Sequence, residues 1–169
     1  MKQTAIRPAS AVDTPAIAHI VNEAWRAAYA GIVPQSYLDS LERLPRAERL
    51  AEGLARTPKL RYYLFEADGI PVGAASLHPT RDPDLENAAE FTFFYFLPEV
   101  WRRGYGTLLL AHLKREAASA GFERLCCWVL EENRRAISFY ESQGMLRDGG
   151  KQIVTIGIPL AAVRCVTDL

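Results

Sequence analysis

The stretch from Glu90 to Gly121 limits what this chain can become more than any other. An aromatic run, Glu90-Phe-Thr-Phe-Phe-Tyr-Phe-Leu97, meets Pro98. The segment Pro98-Glu-Val-Trp-Arg-Arg-Gly-Tyr-Gly-Thr107 then opens into a helical pattern with Leu109, Leu110, Leu113 and Ala117 on one face, closed by Gly121. So aromatic a run reads as a buried strand, and Pro98 ends it because proline has no N–H for a ladder. A strand that hands the chain through glycines to a helix makes an anion site. The first helical N–H groups have no internal partner, the helix dipole adds partial positive charge, and glycine lets an anion approach the backbone. Arg102 and Arg103 bring two more positive charges to the same mouth. The dinucleotide fingerprint fails, because its third glycine would fall on Leu109. No Gly-Lys-Ser/Thr triplet of a P-loop exists either. On this motif alone, a phosphate cradle and a plain helix start beside a turn remain equally open.

The rest of the chain supplies strands and helices in alternation. Residues 3–7 read as a first strand. Asp13 offers an N-cap and Pro15 a first turn to a helix whose apolar face is Ile17, Ile20, Val21, Ala24 and Ala28, stopped by Gly31 and Pro34. A second helical stretch over 35–56 is interrupted near Pro45 and ends before Pro58. Strands at 61–67 and 71–77 flank an Asp68-Gly69 hairpin turn, and 79–87 is a polar loop. A strand at 124–130, a helix at 132–142 closed by Gly144, and a terminal hairpin at 145–149 and 151–158 around Gly149-Gly150 complete the order. Residues Leu160–Leu169 are apolar enough to pair with a second copy or to cover the chain's own sheet. No repeat or long linker divides the sequence, so one α/β domain over residues 1–169 is expected.

Composition narrows the function classes. With 49% hydrophobic and 24% charged residues the chain is an ordinary globular one. Twenty basic residues balance twenty acidic ones, which speaks against a nucleic-acid partner. No apolar run reaches the roughly 18 residues of a membrane span, so no membrane partner is expected. The start, Met1-Lys2-Gln3-Thr4, lacks a signal peptide's apolar core, which makes the cytoplasm the expected compartment. His19, His78 and His112 have no metal-ligand partners at useful spacing, and Cys126 and Cys127 would face opposite sides of a strand, so no metal is expected.

Two motifs in fixed order bring a family into view. The first is the strand Phe94-Tyr95-Phe96-Leu97-Pro98 followed by Trp101-Arg102-Arg103-Gly104-Tyr105-Gly106. The second is Asn133-Arg-Arg-Ala136-Ile-Ser-Phe139-Tyr140-Glu-Ser-Gln-Gly144-Met145. Together they resemble the signature of the GNAT superfamily of acyl-CoA N-acyltransferases. Trp101 stands where a Gln or Arg is usual, and Met145 where Phe is common. The Tyr29-Ala-Gly-Ile-Val-Pro34 segment and the hairpin around Gly69 and Gly73 extend the likeness over nearly the whole chain.

The resemblance implies an α+β fold with a mixed, curved and splayed sheet of about seven strands flanked by helices. It implies acetyl-CoA as co-substrate, held by a bulged strand at Phe94, Tyr95 and Phe96, by the turn and helix start at Arg102, Arg103, Gly104, Tyr105, Gly106 and Thr107, and by Asn133. An N–H near Phe96 would stabilise the oxyanion. Glu90, eight residues before Pro98, is the candidate base, with His78, Asp82 and Asp84 in reserve. Tyr140 is the candidate acid for the leaving thiolate. Each has a plainer reading: Glu90 as a charge where loop meets strand, Tyr140 as a core aromatic, Asn133 as a helix cap. Trp25, Tyr29 and Tyr37 would line the acceptor pocket or simply pack helices on the sheet. The implied activity is acetyl transfer from acetyl-CoA to a primary amine of a small molecule or amino-acid-like substrate through a tetrahedral intermediate. A protein N-terminal or lysine acetyltransferase and a non-catalytic acyl-CoA-binding module are the alternatives. A homodimer is common for such a fold.

Overall fold

A computed structural model of the protein describes residues 3–169. Strands β1 (Thr4–Ala9), β2 (Arg61–Ala67), β3 (Ile70–Pro79), β4 (Ala88–Glu90), β5 (Phe94–Phe96), β6 (Arg124–Leu130), β7 (Leu146–Ile156) and β8 (Ile158–Asp168) form one sheet. Five helices join them: α1 (Thr14–Ala28), α2 (Gln35–Asp39), α3 (Arg43–Arg56), α4 (Tyr105–Ser119) and α5 (Arg134–Ser142). The path through the sheet is β1-β2-β3-β4-β6-β8-β7, with β5 paired to β3 alone. All pairings are antiparallel except β4 with β6, so the sheet is mixed, with eight strands where about seven are expected.

Local chemistry explains most element ends. Asp68 and Gly69 both take positive φ, which two-residue hairpin turns require. Asp13 does not cap α1 through its side chain; its carboxylate closes back on the Ser10 N–H at 2.9 Å and holds Arg7 at 2.8 Å. The second helical stretch breaks at Ser40–Glu42 rather than at Pro45. Pro45 lies in the first turn of α3, where its missing N–H costs nothing.

Two expectations need correction. The segment 145–158 is not a hairpin. Residues 146–156 are the single strand β7, in which Gly149 and Gly150 are absorbed as an irregularity between Arg147 and Lys151. The turn comes later, at Gly157, where Ile156 pairs with Ile158 and φ is +74°. Residues 160–168 therefore belong to β8, paired on one side with β6 and on the other with β7.

The run 90–97 is not one strand either. His78 faces Glu90 while Ala75 faces Phe94, so three steps on β3 oppose four on the other side. One extra residue is the definition of a bulge, and it lies over Phe91–Phe93, just before the expected Phe94–Phe96. Ser76, fully buried, stitches it: its Oγ accepts the N–H groups of Thr92 at 2.8 Å and Phe93 at 3.2 Å.

Alternate residues of β5 project to opposite faces of the sheet. Tyr95 meets Trp25 of α1 and Tyr29 just after its end. Phe94 and Phe96 meet Phe139 and Tyr140 of α5 and Tyr105 of α4. Helix α1 thus covers one face and α4 with α5 the other, while α3 packs on α1. No helix among the described residues is long and apolar enough to cross a membrane.

Candidate active site

The parallel ladder between β4 and β6 ends early. Its last bond runs from the Phe91 N–H to the Cys126 carbonyl at 3.1 Å, and beyond it the strands diverge. Backbone parity says what each arm of the gap presents. Ser76 donates to the Phe93 carbonyl and Leu97 donates to the Val72 carbonyl, so positions 93, 95 and 97 turn towards β3. Phe94 and Phe96 therefore turn their N–H groups into the gap. The Phe96 carbonyl accepts the Trp101 indole N–H at 2.9 Å. On β6, Glu131 and Glu123 pair with β8 partners, which sends the backbone of Trp128 into the gap from the other side. A V-shaped opening with unpaired backbone on both arms is a place for an extended amide-bearing ligand to bind as an added strand.

At the mouth of this opening stands the start of α4. Gly104 sits at φ +80°, and the first N–H to find an internal acceptor is that of Leu108, on the Gly104 carbonyl. The N–H groups before it are free to receive an anion. Arg102 has φ +61°. Gly106 is needed for closeness: a Cβ there would come within 3.1 Å of the Phe139 ring. Arg135 stacks its guanidinium 3.6 Å over the Trp101 ring. Burial, and then the like charge of Arg102, push the Arg135 pKa down. Neither arginine has a carboxylate partner among the described residues.

The cleft encloses about 440 Å³. It is lined by the expected Phe94, Tyr95, Phe96, Arg102, Gly104, Tyr105, Gly106, Thr107, Asn133 and Tyr140, and by Tyr29. Tyr140 is buried against Phe91 and Phe94, and its hydroxyl makes no hydrogen bond among the described residues. Burial first, then the neighbouring Cys127, push its pKa well above the ordinary phenol value. Asn133 does cap α5, accepting the Ala136 N–H at 3.2 Å.

Four expected residues lie elsewhere. Arg103 is exposed and donates to the Glu99 carbonyl. Trp25 and Tyr37 do not line the cleft; they stack on one another beside Tyr29, in the cluster between α1, α2 and the sheet. Glu90, 3% exposed, lines a second chamber of about 450 Å³ with Arg81, Asp82, Thr92, Trp128 and Gln152. Its carboxylate has only long contacts, 3.4 Å to Arg81 Nη2 and to the Arg81 N–H and 3.5 Å to Thr80. Thr92 and Trp128 line both spaces, so the two meet where β4 and β6 part. Among the reserves, Asp82 and Asp84 are tied to the guanidinium of Arg164 at 3.0 and 2.7 Å, and His78 Nδ1 is 2.8 Å from the Pro79 carbonyl.

Sequence reasoning passed over Ser76, Arg135 and Trp128. Ser76 was the one polar residue in the run Gly73-Ala-Ala-Ser-Leu77, a visible anomaly. Arg135 sat inside the quoted second motif. Nothing in the linear order marked Trp128, whose indole N–H donates to Asp82 at 2.9 Å from 46 residues away.

Comparison with known proteins agrees with this geometry. The model of the acetyltransferase (GNAT) family matches residues 16–145, from within α1 to just past α5. A Bacillus subtilis protein described as the uncharacterized N-acetyltransferase YuaI is 28% identical over 158 residues, covering 94% of this chain and 89% of that one. Spermidine N(1)-acetyltransferase of Thermoplasma acidophilum is 27% identical over 143 residues, covering 82% and 86%. The crystal structure of the PaiA N-acetyltransferase from Thermoplasma acidophilum in complex with coenzyme A superposes with a TM-score of 0.75 at 22% identity, over 99% of both chains. The splayed sheet is thus a known architecture, and the chain belongs to the acetyltransferase (GNAT) family as an acetyl-CoA-dependent N-acetyltransferase.

Proposed function

We propose that the protein transfers the acetyl group of acetyl-CoA to the primary amine of a small molecule, and that donor and acceptor approach from opposite sides of the splay. One observation carries this reading: the cleft and the Glu90 chamber share Thr92 and Trp128 at the point where β4 and β6 diverge. The pyrophosphate lies at the start of α4 near Arg102 and Arg135, and the pantetheine arm pairs with the free backbone of Phe94 and Phe96. The thioester then reaches the bulge, and the amine comes to it from the Glu90 side.

The chemistry follows from what each group can hold. The acceptor arrives as an ammonium and has no lone pair until a proton leaves. Glu90 takes that proton, directly or through a water. The nitrogen attacks the carbonyl carbon and then releases its second proton to solvent, while the N–H of Phe94 or Phe96 that the pantetheine arm leaves free stabilises the charge on oxygen. As the C–S bond breaks, Tyr140 gives its proton to the sulfur and is reprotonated from solvent. A phenol with a raised pKa suits that role, since it still holds its proton when the C–S bond begins to break. Tyr29 lines the cleft from the α1 face and takes part in shaping the acceptor's path, with Trp25 and Tyr37 behind it.

Calorimetric titration with acetyl-CoA tests the donor half, and thiol release over a library of primary amines tests the acceptor half. Glu90→Gln is expected to lower kcat/KM by about 100-fold, and Tyr140→Phe to lower kcat by about 10-fold or more, both with unchanged acetyl-CoA affinity. Wild-type protein that binds neither acetyl-CoA nor longer acyl-CoAs would overturn the proposal.

A further inference from the structure

The chamber behind the cleft contains a poorly made ion pair. Arg81 and Glu90 both line it, and Arg81 Nη2 stands 3.4 Å from Glu90 Oε1. The other ion pairs among the described residues run from 2.6 to 3.2 Å. The partners are also unequal, the Glu90 side chain being 4% exposed and that of Arg81 74%. A carboxylate taken out of water normally has close donors around it, because an unanswered buried charge is costly. Glu90 has none closer than 3.4 Å: the Arg81 N–H stands at 3.4 Å and the Thr80 hydroxyl at 3.5 Å.

The chain on either side of Arg81 is well held. Thr80 donates its N–H to the Ala88 carbonyl at 2.9 Å, and Asp82 accepts the Trp128 indole N–H at 2.9 Å and Arg164 Nη1 at 3.0 Å. The looseness is therefore in the contact between Arg81 and Glu90 and not in the loop that carries it. Asp82 is committed to its own neighbours, so the chamber offers a ligand one anion, Glu90, beside one accessible cation, Arg81.

An α-amino acid carries the complementary pair, an ammonium and a carboxylate on the same carbon. Inserted between Arg81 and Glu90, it gives each a closer partner of opposite charge. Its ammonium then lies at the proposed base, and its carboxylate accepts the planar guanidinium through two parallel N–H donors. A polyamine fits less well, because its second ammonium would meet Arg81. A protein N-terminus or lysine side chain lacks the neighbouring carboxylate.

We propose that the acceptor is a free α-amino acid, held through its carboxylate by Arg81 and through its amine by Glu90. The inference rests on the acetyltransferase reading above and narrows its substrate class. The carboxylate takes no part in the transfer, so its contact with Arg81 persists in the N-acetylated product, where the ammonium is gone.

That persistence gives a binding test free of turnover. The protein is first titrated with CoA; failure at this step refutes the acetyltransferase reading itself. N-acetyl-L-amino acids and their C-terminal amides, across the common side chains, are then titrated into CoA-loaded protein by calorimetry, and thiol release is followed with the free amino acids and amino amides. At least one N-acetyl-L-amino acid should bind about 10-fold more tightly than its amide, the scale of a hydrogen bond between charged groups. That ratio should fall towards one in Arg81→Gln and be kept in part in Arg81→Lys, with CoA affinity reporting that each variant is folded. If CoA binds but no carboxylate is preferred to its amide, or the preference survives in Arg81→Gln, the assignment of Arg81 is wrong and the acetyltransferase reading stands.

Discussion

Replacing Ser76 by Ala should damage the donor cleft from a position outside it. Ser76 is fully buried on β3, and its Oγ accepts two backbone N–H groups, those of Thr92 and Phe93, besides sharing a hydrogen bond with the Thr92 hydroxyl at 3.0 Å. These bonds replace the ladder that the extra residue interrupts. In Ser76→Ala the half-buried Phe93 N–H loses its acceptor, while the Thr92 N–H lies where water from the cleft can reach it. An unsatisfied buried donor costs about 1–3 kcal/mol and a rehydrated one far less, so a total near 2 kcal/mol is expected. The functional effect should be larger than that figure suggests. A slip of one residue exchanges the two sides of a strand. If the bulge relaxes to regular pairing, Phe94 and Phe96 turn their N–H groups to β3 and the cleft loses them. Urea denaturation should give the stability loss, and calorimetry a fall in acetyl-CoA affinity of about 10-fold or more. A loss below about 0.5 kcal/mol with unchanged acetyl-CoA affinity would show that β4–β6 pairing, not Ser76, holds the bulge.

Gly104→Glu should abolish detectable acetyl-CoA binding in the same calorimetric assay. It places an L-residue at φ +80° and a carboxylate at the start of α4, where the proposed pyrophosphate lies. Tyr140 is raised well above the ordinary phenol value, so its proton stays on as pH rises through 10, and kcat/KM should show no descending limb from it below about pH 10. A descending limb near pH 9 that vanishes in Tyr140→Phe would refute the acid assignment. Arg7 holds the Asp13 carboxyl down at about 2, so the pair's stabilisation is present above the ordinary carboxylate value of 3.8 and is lost as pH falls through about 2. With Arg7 42% exposed, solvent screening leaves about 0.5 kcal/mol. Urea midpoints of Asp13→Asn and wild type should therefore differ at pH 7 and converge in strong acid.

Legibility in the sequence tracked how local the determining chemistry was. The α4 start, the Asp68-Gly69 turn and the Asn133 cap are each fixed by residues within a few positions, and all three lie where the sequence places them. The split of 90–97 was hidden because an aromatic run encodes burial, while the side chain that bonds the bulge, Ser76, lies on another strand. Gly149-Gly150 carries a turn's composition, yet the chain runs on. A Cβ at Gly150 would come within 3.0 Å of Arg164, so that glycine serves close strand approach, and the turn falls to Gly157 beside Pro34 and Tyr37. The second chamber was invisible for the same reason. Arg81, Glu90, Trp128 and Gln152 come from separate segments, and only the topology makes them neighbours.

One short strand sets the order of the whole site. With three residues, β5 cannot add much to stability, and it pairs with β3 alone. Its alternation does two separate things. Phe94 and Phe96 commit their side chains to α4 and α5 and their backbone to the cleft, while Tyr95 commits its backbone to β3 and its ring to α1. A donor can therefore be gripped through main-chain groups, which any side chains of the right size leave intact, so the aromatic content at Phe94 and Phe96 is free to serve packing. In the proposed reaction, selection of the acceptor falls instead to side chains on the α1 face, which substitution can alter without disturbing the grip on the donor. That separation fits a donor motif legible in two short stretches, whereas Glu90 and the cleft become neighbours, through Thr92 and Trp128, only in three dimensions.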